Sequence, residues 1–488
     1  MTDRFILGLD IGTSAVKGIA VSEYGEIAGR AKRDFTFMHP RKGWTELPPR
    51  EHLASVLAVL SELADLTGGR DLAAVSAACA SGNTVIMDEA GNAVSPIVSW
   101  MDARAAGCGA ELLEGITSDE IHRVTGWPWM EAFPLVTLSW FKKNQPDLFS
   151  RGAWYGMNSD YIHYALTGRK GIDPSSATPS YLYNQEQRCW HLPYRERLEL
   201  TEENLSPIMP IGALLGGITA SSAEKTGLPE GLPVYLGSFD HPCAARGTGV
   251  LREGQLLISC GTSWVGFYPR FDRGKAVSDG FLVDPFLSGA GGPWGCMFSI
   301  PYIGQTVEWY IDTYIGTGDE IKSRYDLFNE FAAAVPIGSA GLLIDPLFDN
   351  GAHSPFSVPK NIGDYSREDI ARAVMECIGF EFRYMVEEYS RKGYAAEDIV
   401  MVGGPAESPV WRQILADIMG ISIRLGSGRS AGALGAAVLS GIGSGMYTGP
   451  EEGFHALAEK NMETVEPILK NTAQYETVFT HYLKGRNT

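Results

Sequence analysis

A strand, a small polar turn and a second strand are indicated twice in this chain, and this repeat constrains the fold more than any other feature. Residues 6–18 read ILGLDIGTSAVKG and residues 256–268 read LLISCGTSWVGFY, so that Gly-Thr-Ser lies at the turn in both. Two apolar runs joined by a short turn that contains glycine are typical of a β-hairpin. The repeat therefore predicts two similar domains, each of which begins with a hairpin.

The residues after the first hairpin predict a third strand, a helix and a fourth strand. A Tyr-Gly turn at 24–25 leads into the third strand, apolar residues recur at helical spacing over 50–64, and a short apolar run covers 73–78. This β-β-β-α-β order differs from a dinucleotide-binding fold, which would begin β-α-β with GxGxxG.

The second half of the chain repeats this order. The sequence predicts a hairpin over 250–268, a long amphipathic helix over 366–391 and a strand over 399–402. Ser408 and Pro409 are typical of the N-cap and first position of a further helix. The small residues of SAGALGAAVLSGIG, near the end of the chain, predict a helix that lets two backbones pack closely.

We therefore predict an α/β fold in which two β-β-β-α-β-α domains face each other across a cleft. The predicted boundary divides the chain into residues 1–248 and residues 249–488. A chain of 488 residues is long enough for two or three domains.

Composition excludes several classes of protein. A net charge of −18 disfavours a nucleic acid or an anionic membrane as partner, because both would be repelled. The seven cysteines are scattered and lack CxxC pairs, which disfavours a disulfide framework or a zinc site. No run of 18 apolar residues is present, and the chain begins without a signal-peptide pattern. We expect a cytoplasmic protein.

A series of motifs resembles the FGGY carbohydrate kinase family, in the order in which that family carries them. The motifs are LDIGTSAVKG, GWTEL, VSWMDAR, SDYIHYALTG, GSFDHPCAA, SCGTS, VGGPAESPVWRQILADIMG and ALGAAVLSGIG. The resemblance implies two domains of the ribonuclease-H-like, actin-like ATPase fold, with the sugar on the first domain and the nucleotide on the second. It also implies ATP and Mg²⁺, and a small sugar, ketose, polyol or sugar acid as acceptor. A homodimer is one option for its assembly, since relatives often dimerise.

Both Gly-Thr-Ser turns are candidates for binding the phosphates of ATP. Glycine permits close approach, and short hydroxyls donate to phosphate oxygens with little loss of side-chain entropy. The candidate phosphate ligands are Gly12, Thr13, Ser14, Lys17, Gly261, Thr262 and Ser263. Taken alone, the first turn fits equally a hairpin whose Asp10 caps its own turn. The second turn favours the nucleotide, so that one turn from each domain would grip a single ATP.

The resemblance assigns further residues to the nucleotide and its metal. Asp10 is similar to the family aspartate that organises Mg²⁺, often through water. Gly403 and Gly404 close a strand where a side chain would collide with the nucleotide, and Ser408 lies where the family contacts adenine. Two departures from the family pattern are Pro405, in place of a common glycine, and the segment Asp349–Pro355, where many members have Gly-Glu-Arg-Thr-Pro.

Asp240, in GSFDHP, is the candidate catalytic base. A carboxylate that follows an apolar strand in a turn before a helix can accept a proton from a sugar hydroxyl. Capping the following helix is the commoner use of aspartate in such a turn, but similarity to the family's general base favours the catalytic role. For the adjacent His241, contact with substrate and stacking in the wall of the site remain equal alternatives.

Substrate contacts are expected from the first domain. Trp100 and Asp102 resemble the family's tryptophan and acid near the sugar, and Arg104 is expected to form a structural ion pair. Ala80, Ser81, Gly82 and Asn83 occupy the loop where xylulose kinases typically carry Gln-Met-His-Gly, so the usual histidine is missing. This departure weakens a specific assignment to xylulose. For the Gly-Trp-Thr-Glu loop at 43–46, substrate contact and simple packing of the tryptophan are equal alternatives.

The motifs predict an ATP-dependent kinase for a hydroxyl of a small sugar. The alternative is an inactive sensor of sugar or nucleotide that keeps the fold. Asp10, Asp240 and both turns disfavour the sensor, since a sensor needs no base. A plain ATPase would leave Trp100 and Asp102 unexplained.

Overall fold

The computed structural model describes residues 3–68, 70–316, 323–347, 358–426 and 428–486. The departure from the family pattern at Asp349–Pro355 lies outside these residues. The strands, numbered in chain order, are β1 (Arg4–Ile11), β2 (Ala15–Ser22), β3 (Ile27–Asp34), β4 (Glu46–Leu47), β5 (Asp71–Cys79), β6 (Thr84–Met87), β7 (Ile97–Val98), β8 (Trp154–Met157), β9 (Tyr183–Asn184), β10 (Cys189–Trp190), β11 (Leu214–Gly217), β12 (Pro233–Phe239), β13 (Gln255–Cys260), β14 (Trp264–Arg270), β15 (Leu282–Asp284), β16 (Trp294–Ile300), β17 (Asp398–Gly403), β18 (Ile423–Leu425) and β19 (Glu463–Val465).

The α-helices are numbered in the same way. They are α1 (Pro49–Thr67), α2 (Cys108–Leu112), α3 (Ser118–Thr125), α4 (Pro134–Asn144), α5 (Pro146–Ser150), α6 (Asn158–Thr167), α7 (Pro174–Ala177), α8 (Leu192–Arg197), α9 (Ala220–Thr226), α10 (Asp240–Gly247), α11 (Arg273–Ser278), α12 (Ile303–Tyr310), α13 (Arg324–Ala334), α14 (Arg367–Arg391), α15 (Gly404–Glu407), α16 (Pro409–Met419), α17 (Ala431–Gly443), α18 (Pro450–Leu457) and α19 (Leu469–Arg486).

The chain divides into two compact units. The segments of the first are Met1–Leu251, Arg270–Cys296 and Ser430–Lys460. Those of the second are Arg252–Pro269, Met297–Arg429 and Asn461–Thr488. The predicted division between residues 248 and 249, into a sugar domain and a nucleotide domain, stays a prediction.

The first unit is built on a six-stranded mixed sheet in the order β11-β12-β5-β1-β2-β3. Strand β2 runs antiparallel to both β1 and β3, and β5 runs parallel to both β1 and β12. Helix α1 lies between β3 and β5 in sequence. The predicted β-β-β-α-β order is therefore confirmed, with a two-residue strand, β4, added before the helix.

Alternation along β1 places apolar side chains on one face of this sheet. Leu7, Leu9 and Ile11 pack with Val56 and Leu60 of α1 in a buried cluster. Residues of opposite parity face the other side because successive side chains of a strand alternate. Asp10 is therefore directed away from α1, toward the face that α17 covers.

Helix α17 approaches the rest of the first unit through backbone contacts. A Cβ added at Gly435 would lie 1.8 Å from the carbonyl oxygen of Cys243 in α10, and one at Gly8 of β1 would lie 2.0 Å from the carbonyl oxygen of Ala433. Both distances are far below any van der Waals contact. The prediction that the small-residue helix packs closely against another backbone is confirmed.

The second unit repeats the hairpin and helix arrangement. The second sheet includes the order β16-β14-β13-β17-β18-β19, with β13 antiparallel to β14 and parallel to β17. The long helix α14 precedes β17, and its N-cap residue Ser366 accepts a hydrogen bond from Asp369 N–H. The predicted repeat of the strand order and the predicted helix over 366–391 are confirmed.

Neither a disulfide nor a membrane helix occurs in the described parts of the chain. The seven cysteines are free. Among the described residues, every helix is too short or too polar to cross a lipid bilayer.

The backbone contact at Gly435 predicts a large loss of stability on adding one methyl group. We expect Gly435→Ala to lower the free energy of unfolding by about 2 kcal/mol or more, since a rigid carbonyl group cannot move aside as a flexible side chain can. Chemical denaturation of the full chain measures this. Gly485→Ala is the matched control, because it also lies in a helix and a Cβ there would meet nothing within 4 Å. Equal losses in the two variants would contradict the close contact.

Candidate active site

The first Gly-Thr-Ser turn joins β1 to β2. Gly12 N–H donates a 3.0 Å hydrogen bond to the Ala15 carbonyl oxygen, and Phe35 N–H donates to the Ser14 carbonyl oxygen. The Ser14 side chain is exposed, and Thr13 is half-buried. The turn is therefore fixed by backbone bonds, while its side chains stay accessible.

Asp10 lies next to this turn. Its surroundings include Lys17, Gly432 and Asp240. Its cross-strand neighbour is Lys17, whose Nζ is 3.7 Å from Asp10 Oδ2. A Cβ added at Gly432, in the first turn of α17, would lie 3.0 Å from Asp10 Cγ. Burial raises the pKa of the Asp10 carboxyl to about 6, the Lys17 ammonium opposes this shift, and the negative charge of Asp240 adds to it. The predicted metal ligand Asp10 and the predicted base Asp240 thus interact electrostatically.

The surroundings of Asp10 fit Mg²⁺ bound together with a nucleotide. No group of three or more His, Cys, Asp or Glu side chains that could hold a metal occurs among the residues the structure describes. Mg²⁺ usually takes one or two protein carboxylates and completes its shell with phosphate oxygens and water. The Asp10 side chain is 14% exposed, so it can supply one such ligand.

Asp240 is the first residue of α10 and follows the last residue of β12. Its Oδ1 accepts a 2.7 Å hydrogen bond from His241 N–H. Phe239, at the N-cap, provides no side-chain cap. Within the described part of the chain, Oδ2 of Asp240 makes no hydrogen bond, and the side chain is 25% exposed. One carboxylate oxygen therefore supports the helix start, and the other is available to a substrate hydroxyl.

The imidazole of His241 lies against an aromatic ring. Its ring centroid is 5.4 Å from that of Phe239, edge to face, and its Nε2 is 3.8 Å from Asp240 Oδ1. Of the two alternatives for His241, packing in the wall of the site matches this edge-to-face position of the ring. Its remaining exposure of 23% leaves contact with substrate as a prediction.

The loop at 81–83 uses its polar side chains to hold itself in place. Ser81 Oγ donates to the Ser176 carbonyl oxygen at 3.3 Å. Asn83 Nδ2 donates to the Ala80 carbonyl oxygen, and Asn83 Oδ1 accepts from Trp100 N–H at 3.1 Å. Both side chains are buried. Two of the predicted substrate residues, Asn83 and Trp100, are therefore hydrogen-bonded to each other, and Ser81 is held separately by Ser176.

Gly82 has a backbone conformation and a neighbour that exclude a larger side chain. Its φ is +90°, and a Cβ there would lie 2.6 Å from the ring of Phe133. The same Cβ would lie 3.4 Å from Trp100 Cβ. An aromatic ring thus occupies the space beside the residue where xylulose kinases would place an imidazole.

Asp102 is fully engaged inside the protein. Its oxygens accept hydrogen bonds from Thr45 N–H and from the backbone and guanidinium of Arg104. Arg104 also binds Glu46 at 2.7 Å, and its guanidinium lies 3.9 Å from the ring centroid of Trp44. The expected ion pair of Arg104 is confirmed. Trp44 packs on Arg104 and is half-buried, and its contact with a substrate stays a prediction. Contact between Asp102 and a substrate stays a prediction that would require one of these bonds to be replaced.

A run of aromatic rings that the sequence motifs did not indicate connects Gly82 with Asp240. Phe133, beside Gly82, has its ring centroid 5.6 Å from Trp127, and Trp127 lies 5.8 Å from Phe239. All three side chains are largely buried. Their positions in the sequence share no motif, so the pattern alone could not show that they form one wall.

In the second unit, the turn at 261–263 joins β13 to β14. Gly261 N–H donates to the Ser263 carbonyl oxygen at 3.1 Å, two residues along the chain, whereas the acceptor in the first turn lies three residues along. Gly403 ends β17 with φ of +101°, and a Cβ there would lie 2.1 Å from the Cys260 carbonyl oxygen, so glycine is required. Gly404 begins the short helix α15.

Ser408 is the N-cap of α16, as predicted. It accepts a hydrogen bond from Trp411 N–H at 3.1 Å and donates to Asn329 Oδ1 at 2.8 Å. Pro409 occupies the first helical position. The hydroxyl of Ser408 is therefore used within the protein, and its contact with adenine stays a prediction.

Comparison with known proteins gives matches along nearly the whole chain. The N-terminal and C-terminal domain models of the FGGY family of carbohydrate kinases match residues 5–247 and residues 256–444. The xylulose kinase of Bacillus subtilis (strain 168) is 25% identical over 487 residues, which is 98% of this chain and 96% of that protein. An autoinducer-2 kinase of Klebsiella pneumoniae is 26% identical over 469 residues, covering 91% of this chain and 86% of the relative.

Solved structures agree with these matches. The xylulose kinase from Rhodospirillum rubrum is 25% identical, with a TM-score of 0.83 over 99% of this chain and 98% of that one. The gluconate kinase from Lactobacillus acidophilus has the same TM-score at 21% identity, over 100% and 98% of the two chains, and shows the same fold. The predicted two-domain actin-like α/β fold is confirmed. With the matches of both domain models, this shows that the chain belongs to the FGGY family of carbohydrate kinases.

Proposed function

We propose that this protein transfers the γ-phosphate of ATP to a hydroxyl of a small sugar, ketose, polyol or sugar acid, with Asp240 as the base. The observation that carries the proposal is the pairing of two carboxylates in the first unit. Asp240 has an oxygen available at the start of α10, and Asp10 adjoins the exposed Gly-Thr-Ser turn. Helix α17 lies against both, since its Gly432 is next to Asp10 and its Gly435 meets the Cys243 carbonyl of α10. A phosphoryl donor and a hydroxyl acceptor would be bound on either side of such a pair.

The protein's own groups would act mainly by positioning and by moving one proton. Phosphoryl transfer needs alignment of the attacking oxygen and stabilisation of the charge on the phosphoryl group. Asp240 would accept the proton of the attacking hydroxyl at Oδ2. Thr13 and Ser14 would donate hydrogen bonds to phosphate oxygens, and Lys17 would add a positive charge. Gly12, whose N–H is bonded to the Ala15 carbonyl oxygen, would let the phosphates approach the turn closely. Mg²⁺, when bound at Asp10, would neutralise part of the negative charge of the phosphates.

We assign the corresponding residues of the second unit to the nucleotide as well. The turn of Gly261, Thr262 and Ser263 presents the same chemical groups as the first turn. Gly403 and Gly404 keep the end of β17 free of side chains, which suits close approach of a ligand to the backbone. Ser408 would help to fix the start of α16 near the adenine ring of the nucleotide.

The acceptor would contact Trp100, His241 and the aromatic wall of Phe133, Trp127 and Phe239. Proteins of nearly equal similarity to this chain are named as kinases of xylulose and of autoinducer-2. Similarity alone therefore does not select the acceptor, whereas the ring beside Gly82 does constrain it. We infer an acceptor with an apolar group, or without a hydroxyl, facing Phe133.

Asp240→Asn tests the proposed base. The variant keeps the size and hydrogen-bonding reach of the side chain but removes the basic carboxylate, so kcat should fall by about 10² to 10⁴. This corresponds to roughly 3 to 5 kcal/mol of transition-state stabilisation, at about 1.36 kcal/mol per decade. Sugar affinity should change much less, because the amide can still accept from the hydroxyl. Steady-state kinetics, titration with the sugar and thermal melting measure the three quantities.

The control for helix capping is Asp272→Asn. Asp272 is the N-cap of α11 and accepts a hydrogen bond from Lys275 N–H, in the same unit as Asp240. Asparagine caps helices about as well as aspartate, so this variant should keep full activity and stability. A kcat for Asp240→Asn close to that of the wild type would reject Asp240 as the base.

Xylulose should not be the best acceptor. The loop at 81–83 offers no imidazole, and a sugar hydroxyl left unpaired in a closed site loses roughly 1 to 3 kcal/mol. That is about tenfold to a hundredfold in affinity. The measurement is kcat/KM for a panel of ketopentoses, tetritols, glycerol and aldonic acids. Pairs of ketoses that differ by one hydroxyl serve as matched acceptors within this panel. A higher kcat/KM for xylulose than for every other acceptor would show that this interpretation of Gly82 and Phe133 is wrong.

A further inference from the structure

The end of β12, immediately before Asp240, is held by a buried chain of hydrogen bonds. Phe239 N–H donates to Ser175 Oγ at 3.2 Å. Ser175 Oγ donates in turn to Asp284 Oδ2 at 2.6 Å. Ser175 and Asp284 are 0% exposed. The backbone of the residue before the proposed base is thus connected, through one hydroxyl, to a buried carboxylate.

A second buried side chain holds the residue one position earlier. Arg246, in α10, donates to Ser238 Oγ at 3.0 Å and to the Phe286 carbonyl oxygen at 2.8 Å. Phe286 N–H donates to the other oxygen of Asp284, at 2.7 Å. Both residues that precede Asp240 are therefore tied to the same short segment, 284–286.

The segment that carries Asp284 is itself fixed on the first unit. Val283 N–H donates to the Gly126 carbonyl oxygen at 2.7 Å, and the Val283 carbonyl oxygen accepts from Gln185 Nε2 at 2.7 Å. The Phe281 carbonyl oxygen lies 2.7 Å from Nε2 of His122. Since its neighbours are anchored in this way, Asp284 cannot shift easily, and the chain of bonds can define the position of Phe239.

Water is excluded from these bonds, because Ser175 and Asp284 are fully buried. Burial raises the pKa of Asp284 to about 7 and that of Asp173 to about 6, while the Arg246 guanidinium partly opposes both shifts. Hydrogen bonds in such water-excluded surroundings are electrostatically stronger than in water. Removing one partner leaves a buried group unpaired, so the arrangement is sensitive to single substitutions.

We propose that Ser175 and Asp284 are positioning residues for Asp240, which hold the backbone at Phe239 so that the carboxylate meets the acceptor hydroxyl. This inference rests on the proposed function of Asp240. Neither residue would touch the substrate in this role. A displacement of a reacting group by about 1 Å can reduce the rate about a hundredfold, so the effect should fall on kcat.

The chain contains a matched pair elsewhere in the same unit. Ser206 Oγ donates to Asp160 Oδ1, and Asp160 Oδ2 accepts from Met157 N–H at 2.8 Å. Both side chains are buried, and burial raises the pKa of Asp160 to about 6. This pair also fixes the junction of a strand and a helix, but α6 carries no proposed catalytic residue. Ser206 Oγ also accepts a hydrogen bond from Trp154 Nε1 at 3.1 Å, so it has one donor and one acceptor partner, as Ser175 has. Ser206→Ala therefore reports the effect of losing a buried serine hydroxyl with two such bonds.

The experiment compares Ser175→Ala and Asp284→Ala with Ser206→Ala, using the acceptor of highest kcat/KM for the wild type. We expect kcat to fall about 10-fold to 100-fold in the first two variants, with KM for acceptor and ATP within about twofold. Asp284→Asn, which keeps an oxygen for Phe286 N–H, should retain most of the activity. The double variant should lose no more than the larger single loss, because the two residues act in series.

Each kcat is calculated from the concentration of protein that binds the acceptor, and titration calorimetry measures this concentration. A partly unfolded variant therefore does not distort kcat. Equal kcat values for Ser175→Ala and Ser206→Ala would overturn the positioning role while leaving the proposed function intact. Strictly additive losses in the double variant would overturn it as well. A wild-type protein that phosphorylates no acceptor would instead contradict the proposed function, and the positioning role with it.

Discussion

The contact of three backbones in the first unit governs the rest of the site. Helix α17 touches α10 where Gly435 meets the Cys243 carbonyl, and it touches β1 where Gly8 meets the Ala433 carbonyl. No side chain separates these elements at the two contacts, so a larger residue at either glycine would force the backbones apart. Because β1 carries Asp10 and α10 carries Asp240, the same contacts determine how the two carboxylates face each other.

Local patterns in the sequence account for much of this fold. The Gly-Thr-Ser hairpins, the helix over 366–391, the cap at Ser408 and the close packing of the small-residue helix each depend on neighbouring residues or on one periodic stretch, and each was predicted. What the sequence did not reveal are the contacts of segments 270–296 and 430–460, which belong to the first unit. Such assignments depend on tertiary packing, for which a single sequence carries no local signal.

In the site, too, some residues can be identified from short sequence motifs, and others only from contacts between distant parts of the chain. Its proposed ligands for ATP and its base lie in short motifs, and a resemblance can identify them one by one. Ser175 and Asp284, in contrast, are 109 residues apart and join only because the chain folds back over the first unit. The ring of Phe133 beside Gly82 is a similar case. Motifs thus indicate the chemistry, whereas distant packing defines how the base is held and which acceptor fits.

The central claim is that the phosphoryl group of ATP goes to a sugar hydroxyl and not to water. The most direct measurement is ³¹P NMR of the wild-type protein with ATP and Mg²⁺, run with and without each acceptor of a sugar panel. We expect one phosphomonoester for each ADP formed, with little ADP in the absence of acceptor. Equal ADP formation with and without every acceptor, accompanied by free phosphate, would contradict it and indicate an ATPase.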